Sequence, residues 1–202
     1  MEISKNQRRL SKSEISQYKD EGYIKNLPVF SNNGVEDLQK FFRELKNRLP
    51  DNVDINKTNM WHKASRKFYD VAHTPTILDY VEDLLGSDFY LWGGQFFYKP
   101  AFSKSIVPWH QDSQYWPLEP SNSVTVWLAV FDTDKENSAM KIVSGSHTTK
   151  NYMHKINNDK NYILNQEVEK NQTLPENIAV RKGQYMQNTS TTESVCRDID
   201  RN

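Results

Sequence analysis

The chain has 202 residues, enough for one compact domain with a sizeable core. Basic and acidic residues balance at 26 each, so charge gives no reason to expect nucleic acid or an anionic membrane as a partner. Apolar residues make up only 36% while aromatics reach 12%, so Phe, Tyr and Trp must supply much of the buried area.

The opening "MEISKNQRRL" lacks the apolar run of a secretory signal, and no stretch is long and apolar enough to span a bilayer. The single cysteine, Cys196, cannot form an internal disulfide, which fits a reducing cytoplasm. In "LSKSEISQYKDEGYI", Ser11 and Glu14 have capping-box spacing, Leu10 and Ile15 are placed as a hydrophobic staple, and Gly22 ends the predicted helix. "YIKNLPVF" reads as a short strand. A second helix is expected from the start signal at Asn33 and Glu36, with Val35, Leu38, Phe41, Leu45 and Leu49 on one face and Pro50 as the stop. A third opens at Thr74 and Pro75, carries Ile77, Leu78, Val81, Leu84 and Leu85, and stops at Gly86.

After Gly86 the period changes. "FYLWGGQFFYK", "SVTVWLAVF", "AMKIVSG" and "NIAVRKGQYM" are rich in β-branched and aromatic residues and read as strands. Helices first and strands afterwards imply an α+β chain with a mainly β core. The expected organisation is one domain over 1–202: a helical lead-in to 86, a β core over 87–187 and an irregular tail over 188–202. The polar "HKINNDKNYILNQEVEKNQTLPEN" reads as a surface excursion between two strands.

The stretch "VPWHQDSQYWPLEP" concentrates the chemistry. On a strand, residues two apart face the same side, so His110 and Asp112 can address one point in space. An imidazole nitrogen and a carboxylate oxygen, joined by a second histidine from elsewhere, would make the facial triad of non-haem Fe(II) oxygenases. By itself the pair is a weak signal and reads more readily as a hydrogen-bonded core pair.

Leu84 to His147, with "YKP", "WHQD", "VTVWLAV" and "EN-S-AM…SGSH" in that order, resembles the phytanoyl-CoA dioxygenase family of Fe(II)/2-oxoglutarate oxygenases. The lead-in "EGYI" and "TPTILDYVEDLLG" extends the resemblance to residues 10–183. It implies a double-stranded β-helix, the cupin-like jelly-roll, with N-terminal helices packed on one sheet. It further implies His110 and Asp112 as iron ligands, with Lys99, Thr125 and Trp127 at the 2-oxoglutarate site and Gln95 and Trp116 facing substrate. Iron, 2-oxoglutarate and O2 would then hydroxylate a small organic molecule. Related halogenases replace the acid of the motif with a small residue, so Asp112 argues for hydroxylation. "SGSH" resembles the family's "PGSH" turn, which makes His147 a structural residue, and His62, His73 and His154 read as solvated or capping histidines.

The family pattern also calls for a distal histidine and a 2-oxoglutarate-binding arginine on two further strands. No histidine follows Gly183, and Arg197 and Arg201 lack the surrounding motif. The expectation is therefore a truncated or altered copy with incomplete closing strands. Two other functions fit the same residues. One is a non-catalytic jelly-roll that binds a small metabolite, and the other is a metal-free sugar-binding sandwich that stacks ligand on Trp109, Tyr115 and Trp116.

Overall fold

The computed structural model describes residues 1–6, 8–115, 122–134, 139–148 and 152–169 and, as backbone, three strands within 178–198. Trp116, Gly183 and Arg201 lie outside the described residues. The chain divides into two compact units, Met1–Leu10 with Pro28–Pro100, and Ser11–Leu27 with Ala101–Asn202.

Helices build the first unit. Setting aside α1 (Lys12–Glu21), which belongs to the second, they are α2 (Asn32–Arg48), α3 (Trp61–Ala64), α4 (Arg66–Ala72) and α5 (Pro75–Leu85). The cap of α2 is Ser31, whose hydroxyl accepts from the Gly34 N–H, so the helix starts ahead of the Asn33 signal. Its buried face is Gly34, Leu38, Phe41 and Phe42. Phe42 takes a place that the expected stripe left to Val35 and Leu49, both half-buried. Arg9 bridges three carboxylates of α5, Asp79, Glu82 and Asp83, at 2.6–3.1 Å.

"FYLWGGQFFYK" forms no strand. Its backbone is irregular; Phe96 and Tyr98 pack on helix residues instead, while Tyr90, Trp92 and Phe97 are exposed. Phe96 makes edge contacts with Phe42, Trp61 and Phe68 at centroid distances of 5.3–5.8 Å. Asn56 takes the place of a neighbouring strand: its Oδ1 accepts from the Tyr98 N–H at 2.6 Å and its Nδ2 donates to the Tyr98 carbonyl at 2.9 Å. Gly94 permits the close approach, since a Cβ there would lie 2.7 Å from the Phe68 ring. Apolar alternation was satisfied here by helix faces, a competition that periodicity cannot see.

Strands dominate the second unit: β1 (Tyr23–Lys25), β2 (His110–Gln111), β3 (Val124–Trp127), β4 (Met140–Ile142), β5 (His154–Ile156), β6 (Gln166–Val168), β7 (Ile178–Ala179), β8 (Tyr185–Asn188) and β9 (Val195–Asp198). They pair antiparallel in sheets ordered β1-β8-β3, β2-β9-β4-β7 and β5-β6. Tyr23 of the first sheet packs with Met140 and Ile142 of the second, and Trp127 covers the contact. Ile142 is fully buried.

Two expectations are corrected here. The tail after 188 is not wholly irregular: β9 inserts between β2 and β4, with Cys196 opposite both His110 and Ile142. Backbone groups on two strand edges hold it, so no alternating apolar pattern was needed. The polar 154–177 stretch is likewise more than an excursion, because β5 and β6 form a ladder within it.

At the other end of this unit, α1 carries the expected capping box between Ser11 and Glu14. Gly22 caps its C-terminus with φ +83°. The "SGSH" turn docks there: the Gly145 N–H donates to Glu21 O at 2.8 Å, and His147 Nε2 donates to Lys19 O at 2.8 Å. His147 thus has the structural role its turn implied.

Candidate metal centre

The site is built in the second unit, where the chain leaves a buried Val107-Pro108 pair and enters β2. Nδ1 of His110 lies 2.8 Å from the Pro108 carbonyl oxygen. An oxygen can only accept, so Nδ1 carries the proton and the ring's lone pair is on Nε2. That Nε2 is 3.3 Å from Oδ1 of Asp112, with the two side chains only 6% and 16% exposed.

Asp112 is not on the strand, as i, i+2 alternation assumed. β2 ends at Gln111, and Asp112 opens a 3-10 turn reaching Tyr115. The turn brings the carboxylate back toward His110, so convergence is achieved by a different local route. Oδ2 of Asp112 accepts a hydrogen bond from Oγ1 of Thr125 on β3 at 2.8 Å. Tyr115 packs edge-on to the His110 ring at 5.9 Å and donates to the Gln166 carbonyl at 3.2 Å. Burial pushes its phenol up to about 12, and the neighbouring Asp112 charge acts in the same direction.

Behind β2 lies a support that sequence reading missed. Gln111 is fully buried, and its Oε1 accepts from the Tyr152 N–H at 2.7 Å. Its own N–H donates to Nε2 of His154 at 3.0 Å, while Nδ1 of His154 donates to the Tyr152 carbonyl at 2.9 Å. His154 is therefore half-buried with both ring nitrogens engaged, neither solvated nor a cap. Burial holds it below the usual imidazole range. The only signal for this in the sequence was the histidine type itself.

The other candidates are placed as follows. Trp127 packs on the core contact between the two sheets. Trp109 is half-buried against Val143 and Val168, which opposes its use as an exposed stacking surface. Gln95 and Lys99 belong to the first unit; both are half-buried, and the Lys99 Nζ is shielded from solvent. Among the described residues no three His, Cys, Asp or Glu side chains form a group able to hold a metal.

A nitrogen and a carboxylate oxygen this close can share a proton or hold a divalent cation. Two donors bound side by side to an octahedral ion at about 2.1 Å stand about 3 Å apart, which the observed separation fits. The Pro108 bond also fixes the tautomer that a ligating Nε2 requires.

Comparison with known proteins extends this picture. The model of the phytanoyl-CoA dioxygenase (PhyH) family matches residues 9–186. Ectoine dioxygenase of Streptomyces avermitilis is 28% identical over 104 residues, covering 50% of this chain and 35% of that enzyme. The peroxisomal phytanoyl-CoA dioxygenase of Bos taurus is 35% identical over 77 residues, covering 36% of this chain and 23% of its own. The chain thus spans well under two thirds of the length of these curated relatives. Among solved structures, EctD from S. alaskensis with 2-oxoglutarate and 5-hydroxyectoine superposes with a TM-score of 0.70 at 16% identity, covering 100% of this chain and 74% of that one. EvdO2 from Micromonospora carbonacea var. aurantiaca gives 0.77 at 14%, covering 100% and 87%. At such identities the likeness shows a shared fold.

Proposed function

The chain belongs to the phytanoyl-CoA dioxygenase family, and on that premise we propose that it is part or all of an Fe(II)- and 2-oxoglutarate-dependent dioxygenase that hydroxylates a small organic substrate. The observation that carries the proposal is the convergence of His110 Nε2 and Asp112 Oδ1 at 3.3 Å in a nearly buried site. Nitrogen-plus-carboxylate donation suits a divalent iron centre. The reading takes the architecture to be a double-stranded β-helix, supported by the two antiparallel sheets meeting at Tyr23, Met140 and Ile142. A cytoplasmic setting is part of the same proposal, for which the lone Cys196 fits a reducing compartment.

His110 and Asp112 would hold Fe(II), which with 2-oxoglutarate and O2 supplies the oxidising chemistry and yields succinate, CO2 and hydroxylated substrate. The protein's own contribution is orientation. Pro108 sets the imidazole tautomer, Thr125 holds one carboxylate oxygen, and Gln111 pins the strand from behind. Tyr115, neutral at physiological pH, walls one side of the imidazole without adding charge.

The test is conversion of 2-oxoglutarate to succinate by the protein with added Fe(II). Turnover in the unaltered chain and its loss in His110→Ala is the expected result. Metal binding without turnover would leave a non-catalytic binding protein or a partial copy of the enzyme, and only the partial copy should gain turnover when a histidine-bearing C-terminal extension is added. Unchanged metal affinity in His110→Ala would overturn the metal site itself.

A further inference from the structure

We infer that Thr125 is a positioning residue that fixes Asp112 as a one-oxygen ligand, an inference that rests on the metal-site reading above. A carboxylate can offer a cation one oxygen or both. Asp112 opens a 3-10 turn, so its own backbone does not decide between these. Thr125 does. Its Oγ1 lies 2.8 Å from Oδ2, and because a carboxylate can only accept, the hydroxyl proton is committed to that oxygen. Oδ1 is left facing Nε2 of His110.

The donor stands on a firm base. Threonine is stiff about its first side-chain bond, and Thr125 sits inside a four-residue ladder in which β3 pairs with β8. β8 is paired on its other edge with β1, so β3 is anchored through the full width of its sheet. Drawing Oδ2 onto the cation as well would pull it from the position where Thr125 holds it and leave it a single lone pair for this hydrogen bond. Hydrogen bonds to charged groups are among the stronger ones. A two-oxygen carboxylate would occupy a position that an oxygenase leaves to cosubstrate or O2. Thr125 thereby acts on the open positions of the site through Asp112, and its hydroxyl proton is directed at the ligand and not at the cosubstrate.

Co(II) titration of the unaltered protein, Thr125→Val and Thr125→Ser, followed by visible ligand-field absorption, tests this. Thr125→Val is expected to bind Co(II) about 10- to 100-fold more weakly and to give an altered band pattern, reporting changed coordination. Thr125→Ser, which keeps the hydroxyl, is expected to restore both. If Thr125→Val fails to fold by circular dichroism, Thr125→Ala carries the same expectation. A purely structural role would lower the melting temperature but leave the spectrum of bound Co(II) unchanged, and that result overturns the inference. Variants matching the unaltered protein in affinity and spectrum overturn it too, while leaving the proposed function standing. An unaltered protein that binds no Co(II) overturns both.

Discussion

At the residue scale, the proposal depends on which atom of each side chain faces which neighbour. His110 and Asp112 stand out in the sequence because two chemically matched residues sit two positions apart within family-like surroundings. His154 does not, because its role comes from a contact with Gln111, 43 residues away. That contact has a pH signature. Nε2 of His154 must accept from the Gln111 N–H, so protonating it would set two donors against each other. Burial likewise disfavours the charged ring, and the folded pKa lies below the ordinary 6.5. A depressed pKa contributes stability that is present above the unfolded value and is lost as pH falls through the folded one. The protein should therefore lose melting temperature on acidification from about pH 7.5 to about pH 5.5. In His154→Gln that loss should be smaller. Equal acid sensitivity in the two proteins would count against this account.

At the element scale, helix ends were the most readable features. The Ser11 capping box, the Gly22 stop and the Pro75 start all stand where local chemistry places them. Gly22 does two jobs, however, and only one is local. Its φ of +83° suits glycine, and a Cβ there would also lie 2.5 Å from Nδ1 of His147. Gly22→Ala should cost about 1–3 kcal/mol from backbone strain alone, with more added by the clash. Denaturant unfolding would measure it. The double variant Gly22→Ala, His147→Ala should recover the clash portion and leave the strain. Strands were less legible. Asn56 and the Phe96 cluster took "FYLWGGQFFYK" out of strand pairing, and β9 formed without an apolar pattern.

At the scale of the whole molecule, the proposed centre should act as a source of stability. A ligand that binds only the folded chain stabilises it by about 2.7 kcal/mol at a hundred times its dissociation constant. Mn(II) should accordingly raise the melting temperature of the unaltered chain, and 2-oxoglutarate should raise it further only when the metal is present. His110→Ala should show neither increment. A 2-oxoglutarate effect that persists without metal would place cosubstrate binding away from the proposed centre. The support is itself a property of the tertiary fold: β5 and β6, drawn from a polar stretch, hold β2 through Gln111, Tyr152 and the Val168-to-Trp109 backbone bond of 2.8 Å.

Legible in the chain alone were the family, the candidate ligand pair, the order of helices before strands, and the boundaries of α1 and α5, whereas α3 and α4 carried no signal that was read. Each legible feature is carried by neighbours in the chain or by motifs in order, which local chemistry and resemblance can read. Tertiary structure alone decided that Asp112 reaches His110 from a 3-10 turn, that Thr125 claims one of its oxygens, and that His154 braces the strand behind it. Those facts rest on contacts between residues 13 and 43 positions apart, or on a turn whose geometry no alternation pattern encodes. Hydrogen-bond partners across such distances are selected when the backbone closes on itself.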